Sequence, residues 1–204
     1  MVISRDFMKS GKTFSKSVQL MEELQIFSEG INAFLQHIDP TQFSCLKEAR
    51  EKAESKYPYV KMVDKVDPLL MEGRAIMWNR MTPDHKDLRD PKVAWAALVV
   101  LGWITSGWLL FRQLNLKVRY QPGDVVWLRG AILNHEVDVW EGEQRICVAH
   151  FTHESYFKDL GLECRTAPGI TPTEVTVNHT NHGRKRKQGP IMDTEVTKRC
   201  RRKK

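Results

Sequence analysis

The stretch that decides the fold is Gln121-Pro122-Gly123-Asp124-Val125-Val126-Trp127-Leu128-Arg129-Gly130-Ala131-Ile132-Leu133-Asn134-His135-Glu136-Val137-Asp138-Val139-Trp140-Glu141-Gly142-Glu143-Gln144-Arg145-Ile146-Cys147-Val148-Ala149-His150-Phe151-Thr152. It contains three short β-prone runs, residues 125–128, 136–139 and 145–152. Turn chemistry sets them apart: Gln121-Pro122-Gly123-Asp124 before the first, and Trp140-Glu141-Gly142-Glu143 between the last two. The latter turn predicts a hairpin that lays Arg145 beside the strand opening at His135.

The same rhythm extends upstream. Residues 75–78, 94–101, 108–111 and 116–120 are further short apolar runs with no helical segment between them. Many short strands divided by turns predict a jelly-roll or barrel. Residues 93–111 carry no charge over 19 positions, which is membrane-span length. Gly102 and the Thr105-Ser106-Gly107 turn divide them, so they read as two buried strands and no membrane is expected as a partner. Before residue 70 the period is helical. Leu20, Leu24, Phe27, Ile31, Phe34, Leu35 and Ile38 recur at spacings of three and four, and Pro40 ends the run. Residues 47–56 are helix-prone and charged, and are expected to be mostly solvated.

Charge separates a body from a tail. The chain has 32 Lys+Arg against 25 Asp+Glu, a net of +7. Residues 178–204 hold ten basic and two acidic side chains, which leaves 22 and 23 for residues 1–177. A body of net −1 is not a module with one wholly positive face. The expected organisation is therefore α+β and mainly β. Residues 1–69 form a helical support, 70–162 a jelly-roll core, and 163–204 a disordered basic tail. The clusters Gly183-Arg184-Lys185-Arg186-Lys187 and Lys198-Arg199-Cys200-Arg201-Arg202-Lys203-Lys204 resemble a bipartite nuclear signal, so the expected location is nuclear, and otherwise cytoplasmic. Cys45, Cys147, Cys164 and Cys200 show neither CxxC spacing nor disulfide-scaffold density.

Chemistry concentrates in the core. His85-Lys86-Asp87 places an imidazole and a carboxylate at i and i+2, which point the same way on an extended chain. His135 follows fifty residues later and Arg145 ten after that. Two His and one carboxylate leave three coordination positions open, the arrangement of non-haem Fe(II) oxygenases. A planar guanidinium nearby suits the far carboxylate of a dicarboxylate cosubstrate. Taken singly, His85 and Asp87 also read as solvated loop residues, His135 as a satisfied strand-start histidine, and Arg145 as a surface partner of Glu141 or Glu143. A second His-x-Asp, His37-Ile38-Asp39, closes the amphipathic run before Pro40 and reads as a helix end. Cys147, His150, His153 and Cys164 form a weaker zinc alternative, because strand alternation sets His150 apart.

Three segments carry a family resemblance. Asn79-Arg80-Met81-Thr82-Pro83-Asp84-His85-Lys86-Asp87 resembles the approach to the first metal ligands of 2-oxoglutarate/Fe(II) dioxygenases. Residues 122–135 resemble their distal-histidine strand, and Trp140 to Arg145 with Ala149-His150-Phe151-Thr152-His153-Glu154 resembles their cosubstrate-arginine strand. Over roughly residues 70–160 the chain is similar to the fungal TET/JBP-like group, related to thymine- and 5-methylcytosine-oxidising enzymes. The resemblance implies a double-stranded β-helix, Fe(II) held by His85, Asp87 and His135, and 2-oxoglutarate anchored by Arg145. It also implies cosubstrate contact by Asn79, use of O2, and hydroxylation of a methyl group on a DNA pyrimidine. The same chemistry on a protein or small molecule, or a degenerate nucleic-acid-binding barrel, remains open at this point. Where the family usually has Gly-Gly-polar-Leu, this chain reads Ser106-Gly107-Trp108-Leu109, which puts a large ring at an expected pocket wall.

Overall fold

The computed structural model describes residues 9–168. Helices come first. Ser10 caps α1 (Gly11–Glu23) by accepting from the Thr13 N–H at 3.1 Å. The single amphipathic helix expected across residues 17–38 is instead two, because the chain breaks at Leu24 before α2 (Gln25–Ile38). α1 buries no residue, whereas α2 buries Ile31 and Leu35. Pro40 ends one helix and begins another. It takes the first turn of α3 (Pro40–Lys56), where its missing N–H costs nothing, and Asp39 caps Gln42 N at 2.9 Å. The second His-x-Asp is therefore a helix boundary, with Asp39 fully buried.

α3 is not mostly solvated as its charges suggested. Cys45, Leu46, Ala49 and Ala53 lie at helical spacing and are fully buried, while Lys47 and Lys52 remain exposed. Small alanines let the helix approach the sheet closely, a signal that the charge count obscured. A short α4 (Val60–Asp64) leads into the strands.

Among the described residues, seven strands form two antiparallel sheets. The larger has the order β1-β7-β2-β5, built from β1 (Gly73–Trp78), β7 (Glu141–Phe151), β2 (Ala96–Ser106) and β5 (Val125–Leu128). The smaller has the order β4-β3-β6, from β4 (Leu116–Arg119), β3 (Trp108–Phe111) and β6 (Glu136–Val137). The uncharged run of residues 93–111 thus supplies β2 and β3. No helix among the described residues is long and apolar enough to cross a membrane.

Alternation along β2 builds two cores. Ala97 and Val99 face the helices and pack with Leu35, Leu46, Val148 and Phe157. Leu98 and Val100 face the smaller sheet and pack with Leu109, Phe111, Tyr120, Val137 and Cys147. The order is helices, large sheet, small sheet. Trp108 turns away from the inner core and carries the Lys117 ammonium 4.8 Å from its ring centre, while Leu109 is fully buried. The large ring at the expected pocket wall is thereby displaced outward.

The hairpin expected between residues 135–139 and 145–152 does not form. β7 has both edges occupied, by β1 and β2, whereas β6 pairs with β3 in the other sheet. The chain crosses between sheets at residues 138–140. After α5 (Glu154–Asp159), residues 163–168, expected as the start of a disordered tail, lie against α3 instead. The two basic clusters lie outside the described residues.

His150 faces the helical side of β7, across from Arg74 and Ala97, and is 1% exposed. Burial, reinforced by the Arg74 charge, pushes its pKa down to about 4. The unfolded chain therefore binds this proton from about pH 6.5 downward while the folded chain resists until about pH 4. Stability should be constant above that window and fall through it by on the order of 3 kcal/mol. Urea midpoints measured from pH 7 to pH 4 check this. His150→Leu should flatten the decline, and an unchanged slope would refute the assignment.

Candidate active site

The site begins at the end of β1. Asn79 sits in the left-handed region at φ 50°, which asparagine tolerates better than most residues. Its N–H donates to Arg145 O at 2.7 Å and its Oδ1 accepts from Arg145 N at 2.8 Å. Asn79 thus grips both backbone groups of Arg145, and its carboxamide oxygen is already engaged there. The chain then crosses toward the smaller sheet, where Thr82 O accepts from Val137 N at 3.0 Å.

His85 meets His135 through an isolated antiparallel bridge, with N–H···O distances of 3.2 and 3.0 Å. Asn134 steadies this crossing by donating from Nδ2 to Asp84 Oδ2 at 2.9 Å and from its backbone to Gln113 Oε1 at 2.6 Å. The imidazole centres are 4.2 Å apart. His85 Nδ1 lies 2.9 Å from Pro83 O, and His135 Nδ1 lies 3.1 Å from Leu133 O. A carbonyl only accepts, so each Nδ1 carries the hydrogen and each Nε2 keeps its lone pair for a metal.

Both lone pairs converge on one carboxylate. Asp87 Oδ1 is 3.5 Å from His85 Nε2, and Asp87 Oδ2 is 3.6 Å from His135 Nε2. These gaps are long for hydrogen bonds. One ligand atom from each of the three residues lies within 4.8 Å of the others, and this is the one such His/Cys/Asp/Glu grouping among the described residues. Gly130 makes room for it. Its carbonyl accepts from Asp87 N at 2.9 Å, and a Cβ there would overlap the Asp87 carboxylate. His135 is 5% exposed, and burial lowers its pKa, which keeps the ring neutral as ligation requires.

Arg145 is 2% exposed and faces the inner core with Cys147. Glu141 and Glu143 do not pair with it. Its Nη1 donates to Arg80 O at 3.2 Å, and its guanidinium carbon lies 5.4 Å from the Tyr120 ring centre. Its Nη2 is buried and has no partner. Leaving a buried cation half-satisfied is costly, and a ligand carboxylate answers that cost. The donor set of the triad therefore fits Fe(II), and the orphaned Nη2 fits a dicarboxylate.

The Tet_JBP family, described as the oxygenase domain of the 2OGFeDO superfamily, matches residues 3–154. The chain belongs to this family. Enzymes of its superfamily use Fe(II), 2-oxoglutarate and O2. Among solved structures, NgTET1 in complex with 5mC DNA is similar at 24% identity, with a TM-score of 0.39. That similarity covers 46% of this Tet_JBP chain and 38% of the NgTET1 chain. No curated protein matches.

In this Tet_JBP protein the residues of the zinc alternative are dispersed. His153 Nδ1 lies 3.2 Å from Glu72 Oε1, His150 faces the helices, and Cys164 packs beside Cys45. Two contributors escaped the sequence reading. Tyr120 ends a recognisable strand, but only the fold shows it lying fully buried against the arginine. Gly130 stands within the distal-histidine segment, yet its need to be glycine comes from Asp87, 43 residues away.

Proposed function

We propose that this chain is a working Fe(II)- and 2-oxoglutarate-dependent dioxygenase that hydroxylates the methyl group of a modified pyrimidine, 5-methylcytosine or thymine, in DNA. The observation that carries the reading is the convergence of His85, Asp87 and His135, together with a buried Arg145 whose Nη2 is unpartnered. The two sheets, facing each other across the inner core, are read as the walls of a double-stranded β-helix. When bound, iron with 2-oxoglutarate and O2 supplies the oxidising power that breaks a substrate C–H bond.

The chain's own part is orientation and exclusion of water. His85 and His135 offer Nε2, each ring fixed by its Nδ1–H on a carbonyl, and Asp87 offers a carboxylate while its backbone N–H is held by Gly130 O. Arg145 receives the cosubstrate's far carboxylate, Asn79 holds the backbone of Arg145 in place, and Tyr120 closes the floor against water. The base substrate rests on the likeness to thymine- and 5-methylcytosine-oxidising enzymes. A base in duplex DNA would have to leave the stack to reach the metal. The body's net charge of −1 favours a second reading, the same chemistry on a protein or small molecule. The basic tail is read as a nuclear address.

Incubation with Fe(II), 2-oxoglutarate and a methylated oligonucleotide decides between these. Mass spectrometry should show hydroxymethylated base formed in step with succinate. Succinate with unchanged base would shift the substrate to the second reading. A folded protein that binds iron but makes no succinate would overturn the enzyme assignment.

A further inference from the structure

Outside the active site, the most distinctive chemistry lies where residues 163–168 cross the helical layer. Cys45, on the buried face of α3, is fully inaccessible and its thiol donates to Glu163 O at 3.3 Å. Cys164 is the next residue along. It packs against the same apolar cluster that contains Cys45, one residue on from the carbonyl that Cys45 touches. The two cysteines are 119 residues apart in the chain, so their meeting is a product of the fold and not of local sequence.

The segment is otherwise held by polar contacts. Arg165 pairs with Glu48. Thr166 Oγ1 donates to Asp39 Oδ2 at 2.5 Å and accepts from Arg129 Nη2 at 2.8 Å. Ala167 N donates to Asp39 Oδ1 at 3.2 Å. Arg129 stacks over Trp95 at 4.6 Å and immediately precedes Gly130, the residue that receives the Asp87 N–H. The strap therefore buttresses the loop that carries a proposed iron ligand, and α3 is its anchor.

Access is asymmetric. Cys164 lines an open cavity of about 870 Å³, together with Leu88, Asp90, Phe157 and Leu162, and Cys45 lies behind it. We propose that Cys45 and Cys164 are a redox modification site, closed to a disulfide by a peroxide that enters from this cavity, and that the bond locks the strap to α3. Reactivity supports the geometry. The neighbouring Cys164 and Arg165 outweigh burial and pull the Cys45 thiol down to about 6, while Cys45 and burial push the Cys164 thiol up, so the pair holds one thiolate near neutral pH and it sits on Cys45.

The step balances. As peroxide arrives, the buried Cys45 thiolate acts as the base and takes the proton of Cys164, which makes the cavity-facing Cys164 sulfur the thiolate. That thiolate attacks one oxygen of hydrogen peroxide, the O–O bond breaks, and hydroxide leaves as water after taking a proton from solvent. The Cys45 sulfur then attacks the sulfenic sulfur of Cys164. The S–S bond forms, the S–O bond breaks, and the second water leaves with the Cys45 proton. Two thiols are oxidised and one peroxide is reduced to two waters. In a reducing compartment such a bond is transient and reversible, as expected of a sensor rather than a scaffold.

The test uses the full chain in a chelating buffer, treated with hydrogen peroxide, alkylated, digested and analysed by mass spectrometry. The expected product joins the Cys45 peptide to the Cys164 peptide with the loss of two hydrogens, and dithiothreitol reverses it. The melting temperature should rise on oxidation by on the order of 10 °C, because a cross-link over this span constrains the unfolded chain. Cys164→Ser and Cys164→Ala, each checked for native circular dichroism, should abolish both effects. Thiols that stay alkylatable would overturn the proposal. So would a link through Cys147 or Cys200, or sulfonic acid at Cys164 with no link to Cys45.

Discussion

Replacing His135 with alanine should abolish Fe(II) binding and, with it, all consumption of 2-oxoglutarate. The ring is 5% exposed, its Nδ1 is committed to Leu133 O at 3.1 Å, and its Nε2 points at Asp87 Oδ2 from 3.6 Å. Removal takes one of three donors and leaves two, with no other His, Cys or acid grouped to replace it among the described residues. The expected loss in Fe(II) affinity exceeds the roughly 10- to 100-fold that disturbing an outer partner costs. Anaerobic titration with Fe(II) and 2-oxoglutarate checks it through the visible metal-to-ligand band. Its persistence in a folded His135→Ala protein would remove His135 from the site. His150→Leu is the control, because His150 faces the opposite side of the large sheet and its loss should leave the band intact.

The second large effect is expected at Arg145, and it has opposite signs in two measurements. Arg145→Met should weaken 2-oxoglutarate binding by about 100-fold or more, the cost of truncating a buried charge-assisted pair. The same change should stabilise the ligand-free protein by about 1–2 kcal/mol, because it removes a 2%-exposed cation whose Nη2 has no partner. Calorimetric titration of 2-oxoglutarate into metal-loaded protein reads the first. Urea unfolding of the ligand-free protein reads the second. A purely structural arginine would lose stability on substitution and leave binding unchanged, so the pair of results separates the two roles.

The candidate site was legible in unequal parts. His85 and Asp87 could be read from two residues of spacing, because alternation along an extended chain is local. Arg145 could be named, but its neighbours could not. Trp140-Glu141-Gly142-Glu143 reads as a hairpin turn, yet β7 is claimed on both edges by β1 and β2, and β6 is left to the smaller sheet. A turn signal reports that the chain reverses and does not report which sheet receives it. Asn79 could likewise be singled out, but the structure shows its oxygen on the Arg145 backbone. Trp108 looked like a pocket wall, and one step of strand parity turned it outward under Lys117.

By itself the sequence determined the helical first third, the strand-rich remainder, the confinement of excess charge to residues 178–204, and the four candidate residues for iron and a dicarboxylate. These follow from periodicity and composition, which a chain carries wherever it lies. Only the tertiary structure decided that His135 bridges to His85, that Gly130 must lack a side chain for Asp87 to fit, and that Cys45 finds Cys164. Each of those is a contact across 43 to 119 residues. It is selected by which apolar faces bury together, and no local pattern encodes that choice.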